Sequence, residues 1–397
     1  MAVEALAGAF AERCAAAVAG AGIPAAAVGV LHEGRIWAWA QGAEPDATFR
    51  IASLTKPFTA TLALALERAG AVELDELVPL APAPDVTLRQ LLSHTGGFES
   101  ECGDLARFGE GDDALPALVR ELRHQRRLVP PGTLWSYCNA GYWLAGHLLG
   151  ERGGSGYEDA LAAWVLEPLG LERTGFGEPD VPAHDPEPAR PHYPRARRAS
   201  GGLVSNVPDL LAFARFQLET PEAAVLRRPL APNPGGHYGL GFQREQVGGL
   251  DVWGHGGSWG GYESLLALVP DRGFAFVALA SGQAAGPVLR DLRGAAVESA
   301  LGVRQAPPPS VPLPARELEL LAGRYAGAEA ELTVAPEADG LAVEVVGEAP
   351  AHARPLGDRL FEVVDGPARG SRFDFHPVAG EPRWIRWSSR LAERQDA

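Results

Sequence analysis

Residues 49–58 read FRIASLTKPF, a stretch that places Ser53 three positions before Lys56 at the start of an apolar run. The run predicts a helix from Leu54 to Ala69. Positions three apart lie on one helical face, so the hydroxyl of Ser53 and the amine of Lys56 are expected to be neighbours. A serine at a helix N-terminus also lies in a positive backbone field, which favours negative charge on its oxygen. An ordinary N-cap serine beside a solvated lysine is the alternative interpretation.

Lys56 is the only lysine among 35 basic residues, all the others being arginine. Lysine loses its proton more readily than arginine near neutral pH, so a single retained lysine indicates a role that arginine cannot fill. Together, Ser53 and Lys56 predict a nucleophile and a group that activates it.

The composition narrows the range of functions. A chain of 397 residues, 46% of them hydrophobic, is expected to form one large domain and one small one. Its formal net charge of -15 would repel phosphate backbones and anionic lipid surfaces, so neither a nucleic acid nor a membrane is an expected partner. A small neutral or weakly charged substrate fits better.

The three cysteines, Cys14, Cys102 and Cys138, have no CxxC spacing and provide neither a disulfide framework nor a zinc site. Residues 1–20 carry acidic side chains, no basic leader and no apolar stretch long enough for a signal peptide or a membrane span. These features lead us to expect a cytoplasmic protein without a metal.

Two pairs of alternating segments predict β-hairpins at the two ends of a first domain. Ala25 to Leu31 pairs with Arg35 to Gln41, and Glu263 to Val269 pairs with Phe274 to Ser281. Helical patterns cover Leu54 to Ala69, Leu88 to Leu92, Ala114 to Arg127, Ala140 to Leu149, Tyr157 to Val165, Pro208 to Leu218 and Ala285 to Leu301. The pattern predicts an α+β fold, in which flanking helices and an inserted helical subdomain accompany an antiparallel sheet.

A proline-rich run, APPPSVPLP over residues 306–314, is the predicted linker. Five short alternating segments follow it: Glu331 to Val334, Leu341 to Val346, Leu360 to Val364, Ser371 to His376 and Arg383 to Trp387. Turn residues separate them at hairpin distances, which indicates a small antiparallel β-barrel or sandwich. The predicted domains are therefore residues 1–305 and 315–397.

Tyr137 and Asn139 form a second candidate element, directly before the predicted helix at Ala140. A phenol near an ammonium group can act as a base toward a serine hydroxyl, because nearby cations favour its deprotonated form. The amide of Asn139 could hold a substrate carbonyl or orient Lys56. A half-buried tyrosine that closes a loop is the alternative interpretation.

The third element reads HGGSWGG over residues 255–261. Its glycines, including Gly256 and Gly257, permit the close approach of backbone to ligand that an oxyanion hole requires, and His255 could polarise a substrate group. A glycine-rich hairpin turn is the alternative. The tryptophans Trp135, Trp253 and Trp259 could wall a dry substrate cleft or belong to the core.

The order Ser-x-x-Lys, Tyr-x-Asn, His-x-Gly resembles the serine β-lactamase and penicillin-binding protein superfamily. The likeness is to the branch of class C β-lactamases, D-aminopeptidases, family VIII-type esterases and related acyltransferases. Residues 91–97 (LLSHTGG) and 200–205 (SGGLVS) support it, and it covers roughly residues 20–300. The remainder is similar to the lipocalin-like β domain often appended to this branch.

The resemblance implies a β-lactamase/transpeptidase-like fold and an acyl-enzyme mechanism that needs neither a metal nor an organic cofactor. Ser53 would attack a carbonyl while Lys56 and Tyr137 share its proton. The backbone N–H groups of Ser53 and Ser258 would form the oxyanion hole, and Tyr137 would pass the proton to the leaving group.

His255 replaces the lysine of the Lys-Thr-Gly motif of class C β-lactamases. Because unperturbed histidine is mostly neutral at pH 7, recognition of a substrate carboxylate is weakened. The leading hypothesis is hydrolysis of an ester or amide of a small metabolite or peptide. Acyl transfer to an amine or alcohol in natural-product metabolism is its closest rival, and β-lactamase or D,D-carboxypeptidase activity ranks below both. A non-catalytic sensor or scaffold is the rival from another class.

Two further features have simpler interpretations. The segment Arg190 to Arg198 also contains Arg195 and Arg197; it could steer an acidic substrate, but a solvated loop is favoured. His94 is interpreted as a structural histidine at the end of a helix. The sequence predicts no oligomeric state.

Overall fold

The computed structural model describes residues 8–80, 83–100, 106–184, 188–189, 191–282 and 285–395. An antiparallel sheet of eight strands forms the centre of the first part of the chain. From edge to edge its strands are Arg35–Gln41, Ala25–His32, Phe274–Ser281, Tyr262–Val269, Leu250–Trp259, Gln243–Val247, Gly236–Tyr238 and Ala231–Asn233. This central sheet confirms the predicted α+β architecture.

The two predicted hairpins pair with each other and form four adjacent strands at one side of the central sheet. Ala25 pairs with Ser281, so strands from the two ends of this part of the chain lie side by side. Along the first strand, Ala27 faces one apolar core and Val28 faces the other. Because both faces are covered, this strand reads as a nearly continuous apolar run.

Helices cover both faces of the central sheet. Ala9–Gly20 and Ala285–Leu301 pack on one face. On the other face lie Thr55–Arg68, Leu88–Leu92, Ala114–Glu121, Asn139–Gly153, Tyr157–Leu161 and Val207–Glu219. Within the described ranges, no helix is long and apolar enough to cross a membrane.

The predicted helix from Ala114 to Arg127 is too long. It ends at Glu121, continues as one 3-10 turn, and becomes extended at Gln125. Arg127 then forms a β-bridge with Phe98. Pairing with a distant segment therefore overrides the helical pattern.

Residues 323–394 form a closed antiparallel barrel of eight strands. The strands are Gly323–Ala326, Glu331–Pro336, Leu341–Val345, Ala351–Gly357, Leu360–Val363, Arg372–His376, Trp384–Trp387 and Arg390–Arg394. The sequence pattern predicts five of them and misses the first, fourth and last. Of the two predicted architectures, barrel and sandwich, the barrel is the one observed.

A short connection joins the two parts of the molecule. Residues 302–314 contain neither helix nor strand, and the helix Ala315–Leu321 follows them. Leu318 and Leu321 of this helix are buried in the apolar core of the barrel. The helix therefore covers one end of the barrel.

Arg386 fastens the barrel to the first part of the chain. Its side chain is 2% exposed, and its guanidinium binds the carboxylate of Asp374, with Nε 2.9 Å from Oδ1. It also donates to the backbone carbonyls of Trp135 at 3.0 Å and Pro232 at 3.3 Å. The barrel is thus held directly against the segment that leads into Tyr137.

Candidate active site

Ser53 lies in a 3-10 turn, Ala52–Leu54, at the start of the helix Thr55–Arg68. Ala52 has φ 45°, in the left-handed region, which costs a non-glycine residue on the order of 1 kcal/mol. The hydroxyl of Ser264 donates to the carbonyl of Ile51 at 2.7 Å. This bond holds the turn, and with it Ser53, against the central sheet.

The side chain of Lys56 is fully buried. Its Nζ lies 3.1 Å from Ser53 Oγ and donates to the carbonyl of Ser200 at 2.8 Å. The same nitrogen lies 4.7 Å from the ring centroid of Tyr137, within cation–π range. The fold therefore brings together the nucleophile, the amine and the phenol that the sequence singles out. A solvated lysine, the alternative interpretation, is excluded by its burial.

Tyr137 and Asn139 lie on the entry to the helix Asn139–Gly153. Cys138 caps this helix, because its Sγ accepts the N–H of Gly141 at 3.4 Å. Asn139 is buried, and its N–H donates to Ser100 Oγ at 3.2 Å. Cys138 is therefore a structural cap, while Tyr137 is the residue of this element that reaches the cavity above Ser53.

His255 lies in the strand Leu250–Trp259, which the sequence pattern does not predict. The neighbouring strand Gln243–Val247 pairs with the His255 strand only as far as Gly254. Residues 255–259 therefore extend beyond the end of Gln243–Val247. Nε2 of His255 lies 3.1 Å from the hydroxyl of Tyr238. Burial, aided by the charge of Lys56, lowers the pKa of His255 to about 3. The imidazole is therefore neutral at physiological pH.

Gly257 shows why glycine is needed in this strand. A Cβ at this position would lie 2.1 Å from the carbonyl oxygen of Ile51 and 3.0 Å from the backbone nitrogen of Ser53. The strand and the serine turn thus approach more closely than any side chain would permit. Gly256 and Ser258, on either side, line the cavity. Gly256 and Gly257 therefore lie at the site, while Gly260 and Gly261 form the hairpin turn between this strand and Tyr262–Val269.

His94 contacts Tyr137 directly, in addition to the structural role that the sequence predicts for it. It has φ 59°, and its Nδ1 accepts the N–H of Cys138 at 3.0 Å. Its ring centroid lies 4.3 Å from that of Tyr137 and 4.8 Å from that of Tyr238. The phrase Ser-His-Thr-Gly is the only sequence signal for this position, and it does not reveal the contact with Tyr137.

The barrel contributes residues that the sequence gives no reason to place here. Ser388, Ser389 and Arg390 line the same cavity as Ser53. The carbonyl of Ser389 accepts the N–H of Tyr137 at 2.8 Å, and Cζ of Arg390 lies 5.1 Å from the Tyr137 ring centroid. Contacts between residues so far apart in the chain leave no local pattern.

The cavity above Ser53 has a volume of about 510 Å³, and Tyr137, His255, Gly256 and Gly257 are among its lining residues. The three tryptophans that the sequence offers as cleft walls are not among the residues that line this cavity. Trp135 is buried, with its ring centroid 5.7 Å from that of Tyr238, and Trp253 belongs to the main core. Trp259 packs edge-to-face on Tyr193. Asn139 is buried and is likewise not among the lining residues.

The arginines of the segment 190–198 have structural partners. Glu158 binds Arg195 through two bonds of 2.9 and 2.8 Å and binds Arg198 at 2.8 Å. Arg197 lies 5.1 Å from the ring centroid of Trp259. Arg190 falls outside the described residues. The described guanidinium groups are therefore held in the fold and do not line the cavity.

In the described part of the chain, no group of three or more His, Cys, Asp and Glu side chains could hold a metal ion. Cys102, one of the three cysteines, lies outside the described ranges.

Comparison with known proteins agrees with the family resemblance that the sequence motifs indicate. A β-lactamase family model matches residues 10–300. Penicillin-binding protein 4 of Amycolatopsis lactamdurans is 30% identical over 350 residues, which are 75% of this chain and 88% of that protein. A D-aminopeptidase of Cereibacter sphaeroides is 24% identical over 298 residues, which are 66% of this chain but only 57% of that protein. This chain therefore spans little more than half the length of that relative.

The likeness to solved structures includes the barrel. The crystal structure of SurE with D-Leu is 27% identical and superimposes with a TM-score of 0.77, over 98% of this chain and 100% of that chain. Taken with the match to the family model, the central sheet and the closed barrel show that the chain belongs to the β-lactamase family and is an enzyme of its serine hydrolase type.

Proposed function

We propose that the chain is a serine acyl-enzyme hydrolase that cleaves an amide or ester bond of a small molecule or peptide. The distance of 3.1 Å between Lys56 Nζ and Ser53 Oγ carries this proposal. A buried amine this close to a hydroxyl can take its proton as the oxygen attacks a carbonyl. The cavity above the pair gives the carbonyl room to enter.

The proposed reaction has two halves. In the first, Ser53 Oγ bonds to the carbonyl carbon while its proton passes to the Lys56 and Tyr137 pair, and the N–H groups of Ser53 and Ser258 stabilise the oxyanion. The bond to the amine or alcohol then breaks, and Tyr137 protonates the leaving group. In the second half, water attacks the acyl ester, loses a proton to the same pair, and the acid leaves as Ser53 recovers its proton.

A D-configured residue beside the scissile bond is the substrate feature that the relatives favour. One relative is named a D-aminopeptidase, and one solved structure contains D-Leu. We therefore infer that this chain acts on a D-amino acid amide or on a peptide with a D residue at that bond. The likeness to SurE extends over nearly the full length of both chains, which supports carrying this feature over.

The neutral state of His255 argues against a required carboxylate on the substrate. Its pKa of about 3 leaves the ring uncharged at pH 7, so it offers a hydrogen-bonding group and no fixed positive charge. β-Lactamase and D,D-carboxypeptidase activities, in which a substrate carboxylate is bound, therefore rank below amide or ester hydrolysis.

Acyl transfer to an amine or alcohol is the second candidate. The observation that favours it is the wall formed by Ser388, Ser389 and Arg390 beside Tyr137. A wall on this side can hold an acceptor against the acyl ester and limit the approach of water.

The test is acylation by an activated ester of a D-amino acid, followed by intact-protein mass spectrometry. Ser53→Ala should remove the acyl adduct, while Ser155→Ala, which changes an exposed serine, should leave it unchanged. An adduct of undiminished yield in Ser53→Ala would show that Ser53 is not the nucleophile. The matched L-amino acid ester tests the stereochemical inference, because equal rates for both would overturn it.

An added amine acceptor separates the two candidates. Under acyl transfer, the amide product should increase at the expense of the free acid as the amine concentration rises. If only the acid forms at every amine concentration, the transfer alternative is wrong and hydrolysis stands.

A further inference from the structure

The interior of the barrel is filled at one end and open at the other. Phe361, Phe373 and Phe375 pack together inside it, with centroid distances of 5.4 to 5.9 Å. The helix Ala315–Leu321 covers the end beneath them. A ligand therefore cannot enter the barrel deeply or from that end.

The open end, here called the barrel mouth, contains a cavity of about 450 Å³. Apolar side chains and the hydroxyl of one serine form this part of its lining: Val345, Ala330, Ala368, Trp387, Phe373 and Ser371. Trp387 packs against Phe373 with a centroid distance of 5.1 Å and forms the floor. Ser100, Leu128 and Ser136 of the first part of the chain close its side. The barrel mouth therefore faces the part that carries Ser53.

Two residues belong to both cavities. Ser388 and Arg390 line the barrel mouth and also line the cavity above Ser53. Arg390 is held between the two, with Nε 2.6 Å from a carboxylate oxygen of Glu329 and Cζ 5.1 Å from the Tyr137 ring centroid. The two cavities are thus neighbours across a single hairpin.

The lining fits a peptide better than a purely apolar chain. Carboxylates of Glu99, Glu329 and Glu348 and hydroxyls of Ser100 and Ser371 lie among the apolar side chains. Such groups can accept or exchange hydrogen bonds with peptide N–H groups, while the floor receives an apolar side chain. A hydrocarbon tail would cover these polar groups without adding a hydrogen bond to any of them.

We propose that the barrel mouth is a subsite for the distal residues of a peptide acyl donor, those separated from the attacked carbonyl by one residue or more. This inference rests on the proposed acyl-enzyme function of Ser53. It names the substrate class as a peptide with an apolar side chain in its distal part, and it gives the C-terminal barrel a direct role in choosing that substrate.

The experiment compares two activated esters of the same D-amino acid, one with a free amino group and one extended by two apolar residues. Val345→Trp and Ala368→Trp fill the barrel mouth from different strands or turns, and Thr333→Trp places the same bulk on the exposed outer face of the barrel. We expect the wild type to prefer the extended ester in kcat/KM by about tenfold or more, the effect of burying one apolar group in a pocket. Each filling variant should lose that preference and retain its rate on the short ester.

Three results would overturn the proposal: equal kcat/KM for both esters in the wild type, an unchanged preference in both filling variants, or loss of preference in Thr333→Trp. Thermal unfolding of each variant identifies misfolding, and having two independent filling positions keeps the test decisive if one fails to fold. Failure of the proposed function is distinguishable, because neither ester would then leave an acyl group on Ser53.

Discussion

The imidazole of His94 lies against the phenol of Tyr137, with ring centroids 4.3 Å apart and planes inclined by 37°. Nδ1 of the same ring accepts the N–H of Cys138 at 3.0 Å. Burial, and then the charge of Lys56, hold the pKa of His94 well below its usual range. The ring therefore stays a neutral acceptor that supports Tyr137 from the side and fixes the backbone directly after it.

His94→Phe should slow acylation without weakening substrate binding. The variant keeps an aromatic ring beside Tyr137 but leaves the buried N–H of Cys138 unpaired, which costs about 1–3 kcal/mol. We expect the acylation rate constant to fall by about tenfold or more, with KM nearly unchanged, because the misplaced phenol affects the reaction step. His94→Asn, which retains an acceptor, should lose less. Rapid-mixing kinetics measures both, and equal rates in His94→Phe and the wild type would remove His94 from this role.

Lys56→Arg should nearly abolish acylation, because a guanidinium cannot release its proton at neutral pH. The buried Nζ contacts both Ser53 Oγ and the carbonyl of Ser200. A larger planar group cannot reproduce both contacts in the same space. Covalent labelling of Ser53 with an activated ester measures the loss, and circular dichroism checks that the fold persists. Near-normal turnover in Lys56→Arg would show that Lys56 is not the activating amine.

The buried histidines should weaken the fold in acid. His255 takes up a proton below about pH 6.5 when unfolded but only near pH 3 when folded, so the unfolded state binds more protons between these values. The free energy of unfolding should therefore decrease as pH falls through this window, by up to about 1.4 kcal/mol per pH unit for His255.

His255→Asn tests this effect, because asparagine does not titrate. Urea unfolding at pH 7.5, 5.5 and 4.5 should show a shallower loss of stability in the variant than in the wild type. Identical pH dependence in the two proteins would contradict the neutral state assigned to His255. His124, an exposed histidine, provides the matched control His124→Asn.

Arg386→Met should destabilise the protein by about 3 kcal/mol, since it leaves the buried carboxylate of Asp374 without its guanidinium partner and with His376 alone beside it, at 3.3 Å. It also removes the bonds to the carbonyls of Trp135 and Pro232, so activity should fall with stability. Arg369→Met, at an exposed position of the barrel, should change stability by less than about 0.5 kcal/mol. Chemical unfolding measures both, and similar small effects would show that the Arg386 contact does not fasten the barrel.

The hairpin at Ser388 and Ser389 should accept a stabilising change. Both residues have positive φ, 46° and 71°, which suits a two-residue turn of type I′ but not serine. Replacing the pair by Asn and Gly (S388N/S389G) should raise the free energy of unfolding by about 1 kcal/mol, because Gly and Asn adopt this conformation at lower cost. Thermal unfolding measures the gain, and a lower melting temperature would contradict this account of the turn.

Local patterns predict the parts of this fold whose contacts are local. The hairpin strands on either side of His32 have an alternating or continuously apolar pattern, and the helix after Ser53 has helical hydrophobic periodicity. Both elements are therefore predicted from the sequence. The pairing of Ser53 with Lys56 is likewise a matter of helical spacing. The Tyr137 and His255 motifs are recognised through the resemblance to a known family. No local sequence pattern shows that these two residues lie close together in the fold.

The misses are contacts made across the fold. The helix predicted beyond Glu121 ends because Arg127 pairs with Phe98, and no local pattern contains that pairing. The contact of His94 with Tyr137 and the approach of Arg390 from the barrel depend on how distant elements pack. Trp135 is attractive as a cleft wall because of its size, but its place beneath Tyr238 is set by the same packing.

The bond from the N–H of Tyr137 to the carbonyl of Ser389 also bears on the order in which this enzyme matures. During synthesis, Ser53, Lys56, Tyr137 and His255 all leave the ribosome before the hairpin that holds Tyr137 exists. A nascent chain therefore carries Ser53 for some time without the wall beside Tyr137. The wall beside Tyr137 is therefore complete only when the last two strands of the barrel have paired.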